Sequence, residues 1–162
     1  MMPAMPHDAA PIPAGFRPID MGGPFIAANG PLYGHWTGEK LQLGFRVEPR
    51  HTNPVSTCHG GMLASFCDML LPAMTMYQGT DGRRSFLPTI NLQVDYIGAA
   101  PRGAWVQGEG EVLQRTRTMV FAQALVTADG APALRCSGIF RYRPPQDENA
   151  PRDFDPLRLR EG

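Results

Sequence analysis

The sequence predicts an α+β fold in which one long buried helix is wrapped by an antiparallel sheet of about six strands. Two patterns carry this prediction. Three segments alternate apolar and polar residues with a period of two, and one segment is apolar almost all round with no β-branched residue before Thr75. Alternation marks a half-buried strand, and a stretch apolar on every side marks a buried helix. A helix packed on one sheet is a two-layer α+β arrangement.

Taken in order, residues 1–31 carry Pro3, Pro6, Pro11, Pro13, Pro18, Pro24 and Pro31, which predicts an arm without regular structure. A weak strand is expected at Tyr33–Thr37. Leu41, Leu43, Phe45 and Val47 then alternate with Gln42, Gly44, Arg46 and Glu48, a clear strand. Gly60–Tyr77, GGMLASFCDMLLPAMTMY, is the helix. Pro72 inside it removes the bond to the Asp68 carbonyl and is expected to kink it. Ile90, Leu92, Val94 and Tyr96 alternate with Asn91, Gln93 and Asp95. Trp105–Gln114 and Met119–Thr127 are less regular strands. In the last strand Leu134, Cys136, Gly138, Phe140 and Tyr142 oppose Arg135, Ser137, Ile139 and Arg141, and Asp129-Gly130 has the chemistry of a hairpin turn. The tail, 144–162, is polar and proline-broken and is expected to be loosely held. The foldable part is therefore 32–143, one domain in a chain of 162 residues.

Composition excludes several classes. With 43% hydrophobic and 19% charged residues the chain is globular rather than disordered. Fifteen basic residues balance fifteen acidic ones without a polybasic run, so neither nucleic acid nor an anionic membrane is an expected partner. Three cysteines without a CxxC spacing read as free thiols of a reducing compartment, which predicts a cytoplasmic location. The opening MMPAMPHDAAPIPAG lacks the basic and apolar regions of a secretory signal, and no run of 18 apolar residues offers a membrane span.

Asp68 is the anomaly of the chain, the only Asp, Glu, Lys or Arg between Arg50 and Asp81. A carboxylate buried in such a helix costs several kcal/mol without partners, roughly speaking, which favours one facing a cleft as nucleophile or general base over a structural role. His59-Gly60-Gly61 opens the helix, where free N–H groups stabilise an anion and glycines admit a ligand to the backbone. That suits an oxyanion hole for acyl transfer. Asn53, in the loop before it, either holds a water or carbonyl or simply sets a turn. His35 and His51 read as structural or exposed.

A cysteine nucleophile is disfavoured: Cys58 and His59 are sequence neighbours pointing in different directions, and Cys67 lies within the apolar helix. His51, Cys58, His59 and Asp68 lack zinc spacing, so no metal is expected. Gly60 and Asp68 are eight residues apart, about 12 Å and about 80° along a helix. One chain cannot close both on a single carbonyl, whereas two antiparallel helices across a two-fold axis can.

The segment NPVSTCHGGMLASFCD, Asn53 to Asp68, resembles the helix-start signature of the hotdog-fold acyl-CoA thioesterases, especially the phenylacetyl-CoA (PaaI-like) type. That signature reads Asn, two residues, Gly, two residues, His-Gly-Gly, six residues, Asp, and the resemblance extends over 32–143, including LPTINLQVDYIGAAPRG. It implies a helix enclosed by a sheet, a dimer or dimer of dimers with sites between subunits, and an acyl-CoA substrate. It also implies no cofactor, coenzyme A being part of the substrate. By this resemblance Asp68 attacks the thioester or activates water, the Gly60 amide polarises the carbonyl, Asn53 positions water or carbonyl, and His59 supports the loop. Thr89 matches a hydroxyl that orients the water. Gly61 and Ser56 would border the substrate, Ser56 standing where the signature has Gly. The phosphates of coenzyme A call for basic residues, for which Arg83, Arg84, Arg115 and Arg117 are candidates. Two alternatives are a non-catalytic acyl-CoA binder, which a buried carboxylate argues against, and a hotdog enoyl-CoA hydratase, whose Asp-plus-His spacing is missing. Met62, Phe66, Met69, Met74 and Met76 suit a tolerant acyl pocket or a core equally well, leaving aromatic, medium-chain and branched acyl groups open.

Overall fold

A computed structural model describes residues 10–78, 85–143, 149 and 155–160. The elements are β1 (Arg17–Ile19), α1 (Gly23–Asn29), β2 (Leu32–Trp36), β3 (Leu41–Arg46), α2 (Gly60–Gln78), β4 (Thr89–Tyr96), β5 (Trp105–Arg115), β6 (Met119–Ala128) and β7 (Ala131–Arg141). All seven strands join one antiparallel sheet in the order β1-β2-β3-β5-β6-β7-β4. With α2 lying against it, this is the hotdog architecture. The sheet has one strand more than the expected six because β1 pairs with β2.

The core is where the two periods meet. Leu63, Phe66, Cys67, Leu70, Leu71 and Met74 of α2 are buried against Phe45, Val106, Val126, Leu134 and Phe140 of the sheet. Each fully buried large apolar side chain contributes about 1.5–3 kcal/mol. Gly108 lets the helix settle onto β5: a Cβ there would lie 2.5 Å from Leu70 Cδ2. The β6–β7 turn has φ of 47° at Asp129 and 83° at Gly130, the doubly positive geometry of a tight hairpin. α2 runs as a single helix through Pro72.

Four expectations need correction. The segment 1–31, read as lacking regular structure, contains β1 and α1; Pro24 lies in the first turn of α1, where its missing N–H costs nothing. The weak strand at Tyr33–Thr37 is a full member of the sheet, Leu32–Trp36. In the tail, 155–160 is docked rather than loose. Tyr77 Oη donates to Asp155 Oδ1 at 2.7 Å, whose carboxylate accepts the Leu159 and Arg160 amides. Leu159 is buried beside Gly34, and the Arg160 guanidinium lies 4.3 Å above the Trp36 ring. Finally, β4 keeps its period but not its burial: Ile90 and Tyr96 are each 55% exposed. It is the end strand beyond β7, whereas α2 packs chiefly over β5.

Asp68 differs from expectation for a related reason. It is half-buried, on a stripe of α2 formed by Gly61, Ala64, Ser65, Asp68, Met69, Pro72 and Met76 that faces away from the sheet. A sheet covers one side of a helix, so within one chain the apolar outer stripe is only partly covered. Among the described residues no helix is long and apolar enough to cross a membrane.

Candidate active site

The start of α2 is held by the loop before it. Cys58 N donates to Ala100 O at 2.7 Å and His59 N to His51 O at 2.7 Å. A helix leaves its first four amides without internal partners, and here three of the four are satisfied. The first is the His59 amide just described. Gly61 N donates to His59 Nδ1 at 2.8 Å, so His59 caps the helix with its ring, and Met62 N donates to His59 O at 2.9 Å. The Gly60 N–H donates to no described residue. The positive end of the helix dipole thus presents one free donor. The next peptide is held by Tyr96, whose hydroxyl donates to Gly60 O at 2.7 Å and whose ring lies 3.3 Å from where a Gly60 Cβ would be.

Two helical turns on, Thr89 Oγ1 at the start of β4 donates to Asp68 Oδ1 at 2.6 Å. This bond fixes the carboxylate rotamer, and Asp68 Oδ2 has no hydrogen-bond partner among the described residues. A half-exposed carboxylate with one oxygen anchored and the other open can act as nucleophile or base.

The remaining candidates divide. Asn53 spends its carboxamide on its own loop: Nδ2 donates to Thr57 Oγ1 at 2.9 Å, and Oδ1 accepts from Val55 N and Thr57 N. The turn-setting role is the one its geometry serves. Gly61 offers room but no amide, since His59 occupies it. Ser56 is exposed and carries φ of 60°, in the left-handed region. A non-glycine residue there costs about 1–2 kcal/mol, which is the physical reason for a glycine in the signature. Ser56→Gly is therefore expected to stabilise the protein by about 1 kcal/mol, net of glycine's greater chain entropy, raising Tm by about 2–4 °C in a thermal melt. Arg115 stacks on Tyr142 with its guanidinium 5.1 Å from the ring. It shares a rung of the sheet with Thr89, through Val120 and Phe140, three strand spacings or about 14 Å away. Arg117 is exposed in the turn beyond. Arg83 and Arg84 lie outside the described residues. His51 is buried between Glu48 N and Asn29 O, and His35 bonds Gln42.

Tyr96 was missed by sequence reasoning because its place in an alternating strand reads as core. The only signal was position, the last residue of the strand that begins at Thr89.

The thiols are unsuited to nucleophilic work. Cys58, Cys67 and Cys136 are all buried. Burial pushes the Cys58 thiol up to about 12; the hydrogen bond between Cys67 and Cys136, followed by burial, pushes Cys67 higher still, and the same bond holds Cys136 below the ordinary thiol value, although Cys136 is buried from any reagent. A chromogenic thiol reagent should titrate essentially none of them at pH 8 in the native protein and all three after denaturation; rapid labelling of the native fold would contradict this. No group of three or more His, Cys, Asp or Glu among the described residues is placed to hold a metal. A cavity of about 800 Å³ lies on the outer face of the sheet, lined by Gln42, Gln93, Gln107, Glu109 and Arg135. It is on the side away from α2 and takes no part in the Asp68 site.

A sheet-wrapped helix opening on His-Gly-Gly, with one free amide and a threonine-anchored aspartate, defines the class: a hotdog protein of the thioesterase type. Residues 56–132 match the family model of the thioesterase superfamily. It is 25% identical over 130 residues to a Pseudomonas aeruginosa protein named as an esterase, spanning 80% of this chain and 96% of the relative. It is 28% identical over 91 residues to acyl-coenzyme A thioesterase 13 of Mus musculus, spanning 55% of this chain and 61% of that one. Among solved structures, zebrafish thioesterase superfamily member 2 superposes with a TM-score of 0.65 at 24% identity, covering 74% of this chain and 87% of that one. The phenylacetic acid degradation protein PaaI of Thermus thermophilus gives 0.61 at 22% identity, covering 74% and 99%. These two superpositions show the shared fold.

Proposed function

We propose that this chain hydrolyses acyl-CoA thioesters to the free acid and coenzyme A. The observation that carries the reading is the Thr89–Asp68 hydrogen bond of 2.6 Å, which prepares one carboxylate oxygen on the outer face of the helix. Asp68 Oδ2 attacks the thioester carbonyl carbon, expelling the coenzyme A thiolate, and water cleaves the resulting anhydride; or Oδ2 takes a proton from a water that attacks directly. Both routes develop negative charge on the carbonyl oxygen, and the Gly60 N–H is the donor for it. His59 and Asn53 act as positioning residues, one through the helix cap and the other through the loop.

Because Gly60 and Asp68 sit about 12 Å apart on one helix, the reading pairs Asp68 of one chain with Gly60 of a second. The apolar outer stripe of α2 supports the same conclusion, since Ala64, Met69, Pro72 and Met76 remain half-exposed in a single chain. A homodimer, or a dimer of dimers, covers it. Arg115 and Arg117 are the described candidates for the coenzyme A phosphates, and the location is cytoplasmic.

Thiol release over a panel of aryl and aliphatic acyl-CoAs tests the reading. Turnover on at least one of them is expected, and silence across the panel would sink it. Binding without turnover would instead favour an acyl-CoA sensor.

A further inference from the structure

Two glycines in succession, Gly60 and Gly61, open α2. With no Cβ on either side, the peptide between them turns more freely than any other in the helix. An oxyanion donor needs the opposite, an amide aimed at the charge before it develops. The fold holds the Gly60–Gly61 peptide at both of its polar ends. Its N–H donates to His59 Nδ1 at 2.8 Å, and its carbonyl accepts the Tyr96 hydroxyl at 2.7 Å. The Tyr96 ring fills the space of the absent side chain, with Cζ and Oη 3.3 Å from where a Gly60 Cβ would be. The preceding peptide, which carries the free Gly60 N–H, is fixed through His59 O by the amides of Met62 at 2.9 Å and Leu63 at 3.1 Å.

Tyr96 is itself anchored. It pairs with Leu134 in the sheet, and the next two amides, Ile97 and Gly98, donate to Ala133 O at 2.8 and 2.9 Å. Beyond them the chain runs against the loop that enters the helix: Cys58 N donates to Ala100 O at 2.7 Å, and Arg102 N to Ser56 O at 3.0 Å. The phenol thus reaches Gly60 from a frame tied to the helix start. β4 serves the site at both ends, with Thr89 on the Asp68 carboxylate and Tyr96 on the first peptide of the helix. A first-turn carbonyl has the amide four residues on as its helical partner, so Gly60 O does not need the phenol for satisfaction. The bond orients. Burial against the helix start, followed by the Cys67 and Cys58 thiols, holds the phenol above the ordinary tyrosine value, so it stays a donor through neutral and mildly alkaline pH.

We infer that Tyr96 is a positioning residue for the reaction proposed above: its hydroxyl and ring hold the first turn of α2 so that the Gly60 N–H points at the thioester carbonyl. It touches no reacting atom, and the inference rests on the reading of Gly60 as the oxyanion donor. A small misplacement of such a donor is costly, because the donor acts only when aligned with the developing charge.

The test compares wild type with Tyr96→Phe, which keeps the ring and removes the hydroxyl. On the preferred acyl-CoA, kcat is expected to fall about tenfold, less than loss of the donor itself, with KM within about twofold. Tm should fall by no more than about 4 °C, since one hydrogen bond of a half-exposed side chain is lost. Two non-hydrolysable analogues of coenzyme A separate positioning from a merely structural role. One is a thioether, which has no carbonyl; the other is a ketone in which methylene replaces the thioester sulfur, isotopically labelled at the carbonyl. The variant should bind the thioether within about twofold of wild type and the ketone about threefold more weakly. The infrared carbonyl band of the bound ketone should lie at higher frequency in the variant, reporting a weaker hydrogen bond to that oxygen. An unmoved carbonyl band, or both analogues weakened alike, would overturn the role of Tyr96 and leave hydrolysis to stand on wild-type turnover. A band that moves in the variant, with no turnover of any thioester by either protein, would uphold the positioning and overturn the hydrolase.

Discussion

Asp68→Asn is expected to lower kcat on the preferred acyl-CoA by about 10²–10⁴-fold, the usual contribution of a general base, while leaving binding of a non-hydrolysable analogue within about threefold. The substitution is nearly isosteric. Its amide oxygen still accepts the Thr89 hydroxyl, which donates to Asp68 Oδ1 at 2.6 Å, so the rotamer is kept. What disappears is the lone pair and charge on the second oxygen. In free energy the loss corresponds to about 3–5 kcal/mol of barrier. A half-buried side chain whose volume is conserved should change Tm by only about 2 °C. Thiol release, calorimetric binding and a thermal melt on the same sample separate the three quantities. Undiminished turnover with the asparagine in place would remove Asp68 from the chemistry.

Gly60→Pro is expected to cost about 10²–10³-fold, as removal of one oxyanion donor does. The helix permits the change, with the Tyr96 ring, 3.3 Å from the new Cβ, giving way by a few tenths of an ångström. Gly60 is the first residue of α2, where proline's fixed backbone and missing N–H are tolerated. The deleted donor is also the one amide of the helix start that bonds to no described residue. Mixing this variant with Asp68→Asn then tests where the two halves of the site come from. If Asp68 of one chain faces Gly60 of another, each mixed dimer rebuilds one intact site of its two. With random exchange half of the dimers are mixed, so activity returns to about a quarter of wild type. A mixture that stays as inactive as its two components would place both groups in one chain and contradict the shared site.

Much of this was legible in the sequence. The alternation at Leu41–Val47 and Leu134–Tyr142 and the all-apolar Gly60–Tyr77 fall on observed strands and the observed helix, because a period of two or an unbroken apolar run follows from how a backbone presents side chains. The Asn53–Asp68 signature was legible for a similar reason. Its spacing along one loop and one helix is local, so Gly60 at the first turn and Asp68 two turns later follow from helical geometry alone.

Other features depended on what lies across the fold. Tyr96 belongs by pattern to a buried face, yet β4 is the end strand, and its hydroxyl instead holds the Gly60 peptide. Asp155 and Leu159 sit in a polar, proline-broken stretch with no periodicity, and only Tyr77, Arg17 and Gly34, brought near by the sheet, show why it docks. Asn53 and Asp68 carry equally reactive-looking side chains, but one is consumed by hydrogen bonds to Val55 and Thr57 and the other is left half open. Local pattern was enough for the long helix, six of the seven strands and the residue types available at the helix start, and not for β1 and α1. The packing of distant segments set which face of α2 is left uncovered within the chain and which amide of the helix start bonds to no described residue. The reason is physical: local periodicity records which side of an element is apolar, whereas exposure and hydrogen-bond satisfaction depend on partners distant in sequence.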